Sequence, residues 1–156
     1  MMTKVRIGAI GWLCWAAFGM AIGAQAAPMA YVSNEGSGSV SVIDTATSAV
    51  TATWAVGGKP RGIAISLDGK ELYLSDQDHN ALAIVDTATG KVAATVTLGH
   101  SPEAIYLSRD GKWLSASIEE DNTVAIIDVA TRTVAKRIRT VGKNPEHAVF
   151  SPDGAW

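Results

Sequence analysis

Apolar and polar positions alternate in four short runs between residues 61 and 98, and each run is closed by turn-forming residues. The runs span residues 62–65, 71–75, 81–85 and 91–98. Asp68-Gly69 separates the first two, and such a pair lets the chain take the positive φ that a tight hairpin needs. After residue 26, no window longer than ten residues shows the 3.6-residue apolar period of a helix. The pattern predicts a four-stranded antiparallel meander.

The same pattern recurs about every 42 residues. Three sets of turn residues keep this spacing: Asp44, Asp86 and Asp128, each opening an Asp-x-Ala-Thr turn; Pro60, Pro102 and Pro145; and Asp68-Gly69, Asp110-Gly111 and Asp153-Gly154. A fixed period in the 40s, filled with short strands, is typical of β-propeller blades. The sequence therefore predicts an all-β fold of β-propeller blades.

Residues 27–156 divide into three blades of this four-stranded design and the start of a fourth. The blades are predicted at about 30–57, 61–99 and 103–141, with the fourth beginning at about 146–156. The first copy enters at Tyr31-Val32-Ser33, which aligns with the second strand of the later copies. The first blade is therefore expected to lack its innermost strand.

Three blades and a fraction are too few for a ring, because closed propellers have roughly 4 to 8 blades. We therefore expect an open part of a ring, with seven blades as the favoured number, in the N-terminal part of a longer protein. The alternative is a short protein that associates with itself to complete the ring.

The first 26 residues have the pattern of a secretory signal peptide. Lys4 and Arg6 precede an apolar run over 7–23, and Ala24-Gln25-Ala26 provides the small residues that signal peptidase needs, with cleavage between Ala26 and Ala27. Retention as a membrane anchor is the alternative, although about 17 apolar residues is short for a span. Cleavage would leave no stable membrane span and predicts a periplasmic protein.

Composition narrows the classes of function. Cys14 is the only cysteine and lies in the signal region, so the mature chain would have no disulfide and no thiolate metal site. Removing the signal changes the net charge from −2 to −4, and the basic residues are scattered. This mild acidity argues against binding of nucleic acid.

Tyr31-Val32-Ser33-Asn34, followed by 40–45 (VSVIDT), closely resembles the YVTN-type β-propeller repeat. The resemblance covers 30–156. More narrowly, 31–35, 60–64 and 119–122 are similar to exported propellers associated with PQQ-dependent alcohol catabolism. That resemblance implies a periplasmic, seven-blade-like propeller of unassigned molecular role, encoded beside quinoprotein dehydrogenase systems.

Candidate binding residues follow from their place in the repeat. Arg61, Glu103 and Glu146 each come directly after the proline that opens the innermost strand, so they should point around the mouth of the central channel. Opposite charges on neighbouring blades could pair with each other or bind a small polar ligand. His147 is a further candidate contact at this mouth.

No catalytic, metal or cofactor motif is recognisable. The chain has no Gly-x-Ser-x-Gly elbow and no short-spaced histidine pair. We therefore predict a scaffold that binds a small polar ligand or a protein. The resemblance to exported propellers implies a periplasmic quinoprotein dehydrogenase as the partner and an accessory role in PQQ-dependent alcohol oxidation. The alternatives are a propeller enzyme, either a lactonase-like hydrolase or a haem-carrying oxidoreductase with its catalytic residues in further blades, and a structural cell-surface repeat protein.

Overall fold

The computed structural model describes residues 28–154 and has an all-β fold, with one turn of 3-10 helix at Glu35–Ser37. The eleven strands of the described chain are β1 Met29–Asn34, β2 Ser39–Asp44, β3 Ala49–Ala55, β4 Pro60–Ile65, β5 Glu71–Asp76, β6 Ala81–Asp86, β7 Lys91–Thr97, β8 Pro102–Leu107, β9 Trp113–Ile118, β10 Thr123–Asp128 and β11 Thr133–Arg139. The predicted signal region and its cleavage site at Ala26 and Ala27 lie outside the described residues.

The strands form three antiparallel sheets that are the predicted blades. Their orders are β1-β2-β3, β4-β5-β6-β7 and β8-β9-β10-β11, so each is a simple meander. The first sheet has three strands, as the alignment of Tyr31 with a second strand predicts. The described sheets do not close into a ring, which confirms the expectation of an open array of blades.

The Asp-Gly pairs form the predicted tight turns. Gly69, Gly111 and Gly154 have φ of 73°, 72° and 70°, a region that glycine adopts without a steric penalty. The amide of Gly69 donates to the carbonyl of Ser66 over 2.9 Å, and the Ser66 hydroxyl donates to Asp68 over 2.8 Å. Because these contacts are local, the turn is set by the sequence of the turn itself.

The Asp-x-Ala-Thr turns close through their aspartates. Oδ1 of Asp86 accepts from both the amide and the hydroxyl of Thr89, each over 2.8 Å. Oδ1 of Asp128 accepts from the amide of Thr131 over 2.8 Å in the same way. These hydrogen bonds confirm the Asx-type closure and hold β6 to β7 and β10 to β11 in register.

The blades are held together by apolar side chains on facing sheets. In the second blade, Leu72 and Leu74 face the first blade, whereas Tyr73 faces the third. Between the second and third blades, the buried cluster comprises Tyr73, Leu82, Ile84, Leu98, Ile105, Leu114, Ala116, Ile118, Ala125 and Ile127. Since successive side chains of a strand point to opposite faces, one sheet supplies two interfaces.

The third blade also has an apolar outer flank. A surface cavity of about 540 Å³ opens there, lined by residues that include Trp113, Ile126 and Ile138. Residues 145–150 lie beside this blade without forming a strand, and the Ser115 hydroxyl donates to the carbonyl of Ala148. The turn at 151–154 repeats the Asp-Gly hairpin contacts, with the amide of Gly154 donating to Ser151 over 3.0 Å. The predicted start of a fourth blade therefore contributes its turn within the described chain.

The innermost strands of the second and third blades approach closely at Gly62. A Cβ at this position would lie 2.3 Å from the carbonyl oxygen of Glu103 and 2.6 Å from the amide nitrogen of Ile105. Both atoms belong to the backbone of β8, so neither can move without separating the blades. Gly62 is therefore needed for the distance between β4 and β8, rather than for a special backbone angle.

We predict that Gly62→Ala lowers the free energy of unfolding by about 1–3 kcal/mol, the usual cost of adding a methyl group to a tightly packed site. The reason is the overlap with the backbone of β8. Urea unfolding followed by circular dichroism measures the change. Gly36→Ala is the matched control, because a Cβ there meets no heavy atom within 4 Å. Equal shifts for the two variants would contradict this account of the inter-blade contact.

Candidate functional site

Arg61 and Glu103 meet at the inner ends of neighbouring blades. Each is the second residue of its innermost strand, so the stacking of β4 on β8 brings their side chains together. Nη1 of Arg61 lies 2.8 Å from Oε1 of Glu103. The Glu103 side chain is 3% exposed and that of Arg61 is 46% exposed. The buried carboxylate therefore fixes a guanidinium whose remaining surface faces solvent.

Two further side chains lie within hydrogen-bonding distance of the same oxygen of Glu103. Nε2 of Gln77, from the loop between β5 and β6, lies 2.5 Å from Oε1, and the Ser101 hydroxyl lies 3.4 Å from it. Gln77 also donates to Ser101 over 3.2 Å. A buried carboxylate requires such partners, because an unpaired buried charge is costly.

Glu119 extends this group of residues in the third blade. Its Oε2 accepts from the Ser101 hydroxyl over 3.1 Å, and its Oε1 accepts from Nδ2 of Asn144 over 3.0 Å. We call Arg61, Gln77, Ser101, Glu103, Glu119 and Asn144 the channel-mouth cluster. Its members come from two innermost strands and the loops at one face of the blades, which is the face that the sequence indicated.

The two carboxyl groups of the cluster have pKa values shifted in opposite directions. Burial raises the pKa of Glu103, and the Arg61 charge opposes this; a hydrogen bond to Glu119 and the negative charges of Glu146 and Glu119 raise it further. The pKa of Glu119 is lowered, first by the hydrogen bond from Asn144 and next by that from Ser101. The pKa of Glu103 is therefore shifted upward and that of Glu119 downward, so Glu103 binds a proton at a higher pH than Glu119 does.

Glu146 and His147 occupy different surroundings. Glu146 is exposed, its carbonyl oxygen accepts from the amide of Ala104 over 3.2 Å, and its charge acts on Glu103. The exposed ring of His147 packs against Tyr106, with 6.2 Å between the ring centroids. The structure thus brings Arg61, Glu103 and the charge of Glu146 together, whereas the His147 ring lies on the flank of the third blade.

Sequence reasoning did not single out Gln77, Ser101, Glu119 or Asn144 as binding residues. The available signal was positional: Gln77 and Glu119 lie in equivalent loops after the second strand of their blades, separated by 42 residues. Ser101 and Asn144 each directly precede a proline of the repeat, Pro102 and Pro145. A search of equivalent loop positions for polar residues would therefore have found all four.

Carboxylates of the same face also hold the loops between blades. Asp76 accepts from the amide of Lys59 over 3.1 Å and lies 2.6 Å from Nδ1 of His79. Asp121 accepts from the amide of His100 over 3.1 Å and lies 2.9 Å from its Nδ1. In each case, the hydrogen bond to the carboxylate and then its charge raise the pKa of the histidine. Both imidazoles are exposed, so they are positioned for contact with solvent or a ligand.

Within residues 28–154, no group of three histidine, cysteine, aspartate or glutamate side chains has a geometry that could hold a metal ion. The same part of the chain contains no helix with the length and apolar character of a membrane span.

Radially stacked meanders with a polar mouth at one face define a β-propeller. The sequence matches the profile of the YNCE-like beta-propeller family over residues 14–112, more than half of the chain. The chain therefore belongs to this family. No curated protein matches the sequence.

Solved structures with the same architecture include two proteins whose names describe enzymes. Hydrazine synthase of Kuenenia stuttgartiensis has a TM-score of 0.76 and 27% sequence identity, with 81% of this chain and 36% of that chain covered. The dihydro-heme d1 dehydrogenase NirN, solved in complex with DHE, has a TM-score of 0.63 and 18% identity, with 81% and 29% covered. The chain thus spans about a third of these proteins, and the second likeness concerns the fold alone.

We predict that Glu103→Gln and Glu119→Gln change the pH dependence of stability in opposite senses. The raised pKa of Glu103 means that its contribution to stability is present below its unfolded-state pKa near 4.5 and is lost as pH rises through the folded-state pKa. The lowered pKa of Glu119 means that its contribution is present above that range and is lost as pH falls.

The measurement is the free energy of unfolding in urea between about pH 4 and 7. Relative to Glu103→Gln, the unsubstituted protein should lose stability as pH rises; relative to Glu119→Gln, it should gain stability. Glutamine at 103 retains a donor toward Glu119, so the shape of the cluster is kept. Parallel pH profiles for the two variants would show that the carboxyl groups are not coupled as described.

Proposed function

We propose that this protein is a non-enzymatic, exported propeller that binds a small polar ligand at the channel-mouth cluster. The observation that carries the proposal is the buried carboxylate of Glu103, which fixes Arg61 while leaving 46% of the Arg61 side chain exposed. Only one nitrogen of this guanidinium donates to Glu103 in the structure. Because the guanidinium is planar and carries five N–H donors, its other N–H groups could bind an acceptor on a ligand.

The charges around Arg61 indicate the chemistry of the ligand. Glu119 is partly exposed and Glu146 is exposed, and the low pKa of Glu119 favours its ionised form. The mouth therefore carries more negative than positive charge. A suitable ligand would place an amino or other cationic group near Glu119 and Glu146. It would also place a hydrogen-bond acceptor near Arg61.

The cellular context is part of the proposal. The signal pattern of residues 1–26 supports export to the periplasm, and the resemblance of residues 31–35 and 60–64 to exported propellers supports an accessory role in PQQ-dependent alcohol oxidation. In that role, the propeller would work beside a periplasmic quinoprotein dehydrogenase as its partner. No cofactor is required for binding of this kind.

A second candidate is a propeller that belongs to a redox enzyme and carries haem. It is favoured by the 27% identity to a chain of hydrazine synthase, a protein named for a redox activity. The exposed imidazoles of His79, His100 and His147 could approach an iron from outside. Haem titration followed by visible absorption separates this candidate from the first.

We predict that small amines and amino acids raise the unfolding temperature of the purified protein in a saturable way, measured by differential scanning fluorimetry. Glu119→Gln combined with Glu146→Gln should weaken this effect about tenfold, since two ionic contacts are lost. Glu120→Gln is the matched control, because Glu120 is an exposed neighbour outside the cluster.

The same panel should contain divalent metals, haem, PQQ, a lactone and a purified quinoprotein dehydrogenase. Turnover of the lactone, or a stoichiometric haem spectrum, would overturn a non-enzymatic role. Co-elution with the dehydrogenase would support the accessory role. Equal responses of the double variant and the Glu120→Gln control would show that the ligand binds away from the channel mouth.

A further inference from the structure

The outer strand of the third blade carries an unusual concentration of positive charge. Lys136, Arg137 and Arg139 all lie in β11 and are exposed, and the strand contains no acidic residue. The corresponding strand of the second blade, β7, has a single cation at its first residue, Lys91, and that of the first blade, β3, has no charged residue. Because the blades are otherwise close copies, this difference belongs to the third blade specifically.

Within the described residues, Lys136, Arg137 and Arg139 form no salt bridge with a carboxylate. The neighbouring Arg132, by contrast, pairs with Glu71 over 2.7 Å. Arg137 acts on Asp121 only through its charge, as a minor influence that lowers the pKa of that carboxyl behind the hydrogen bonds from His100. The positive charge of β11 is therefore available to a partner.

The cations lie on both sides of a free sheet edge. β11 is the last strand of its sheet, so one side of its backbone has no neighbouring strand within the described chain. Arg137 and Arg139 are opposite Ala125 and Thr123 in the register with β10, whereas Lys136 is opposite Ile126. Since Ala125 faces the second blade and Ile126 the open flank, the charged side chains border the edge on both faces.

We propose that β11 binds an acidic, extended segment of a partner protein, which adds to the sheet as a further strand. Backbone hydrogen bonds to the free edge would supply affinity, and carboxylates at alternate positions would lie on the face that carries Arg137 and Arg139. Charge complementarity selects this occupant. Lysine on an edge strand commonly serves to prevent aggregation, but β3 has no such charge, so protection of the edge does not account for three cations on one blade.

An anionic lipid surface fits these features less well. A lipid headgroup could pair with the cations but offers no extended backbone to the edge of β11. The strand presents one large exposed apolar side chain, Ile138, which is 41% exposed. Membrane-binding surfaces of this type need several apolar side chains beside their cations. The proposal does not depend on a ligand at the channel mouth. The mouth is next to β8, the innermost strand of the third blade, whereas β11 is the outermost strand of the same blade.

The test uses a fluorescein-labelled octapeptide of alternating glutamate and valine, with fluorescence anisotropy as the readout. We expect saturable binding that weakens as salt is raised, because exposed ion pairs are screened. The triple variant Lys136→Gln, Arg137→Gln and Arg139→Gln should bind about tenfold more weakly. Lys91→Gln, the matched variant in β7, should bind as the unsubstituted protein does. All four positions are exposed, and circular dichroism verifies that the variants fold.

A second peptide, methylated at every backbone nitrogen, tests the strand addition itself. It keeps the charges but has no backbone N–H to donate from either edge of the strand, so we expect its binding to be lost. Equal binding of the methylated peptide would overturn strand addition. Tighter binding of phosphatidylglycerol vesicles or of single-stranded DNA than of the octapeptide would overturn the choice of an acidic peptide. Equal weakening by Lys91→Gln would place the site elsewhere.

Discussion

The whole molecule depends on the burial of both faces of a sheet that has no core of its own. In the second blade, Leu72 and Leu74 contact one neighbour while Tyr73 and Ile84 contact the other. A single meander of this kind would be marginally stable in water. Burying both faces against similar sheets removes that problem, and it also determines where polar groups can lie. They are confined to the turns, the outer strands and the inner ends of the blades, which is why the charged cluster forms at the mouth.

Features that depend on local chemistry were predictable from the sequence. The hairpins at Asp68-Gly69 and the closures at Asp86 follow from residues that hydrogen-bond within a few positions of themselves. The meeting of Arg61 with Glu103 was predictable for a different reason. Equivalent positions in a repeat occupy equivalent places in the array, so a 42-residue separation in sequence becomes a 2.8 Å contact in space.

Features that depend on loop conformation were not predictable in this way. Ser101 contacts Glu119 from a backbone with φ of 55°, a conformation that serine rarely adopts. The residues around Ser101 gave no signal for this conformation. The burial of Glu103 was also hidden, because it results from the close approach that Gly62 permits. The sequence indicated charges around an open mouth; the structure shows that one of these charges is buried and organises the others.

The asparagines at the third-strand turns have a consequence for how such arrays arise. Oδ1 of Asn80 accepts from the amide of Ser101, and Oδ1 of Asn122 accepts from the amide of Asn144. Each asparagine thus fixes the linker that follows its own blade, not the linker of a neighbouring blade. A duplicated gene segment for one blade would therefore include the hydrogen bond that sets the angle to the next blade. Growth, shrinkage or shuffling of the array by recombination can therefore preserve its curvature without compensating changes elsewhere.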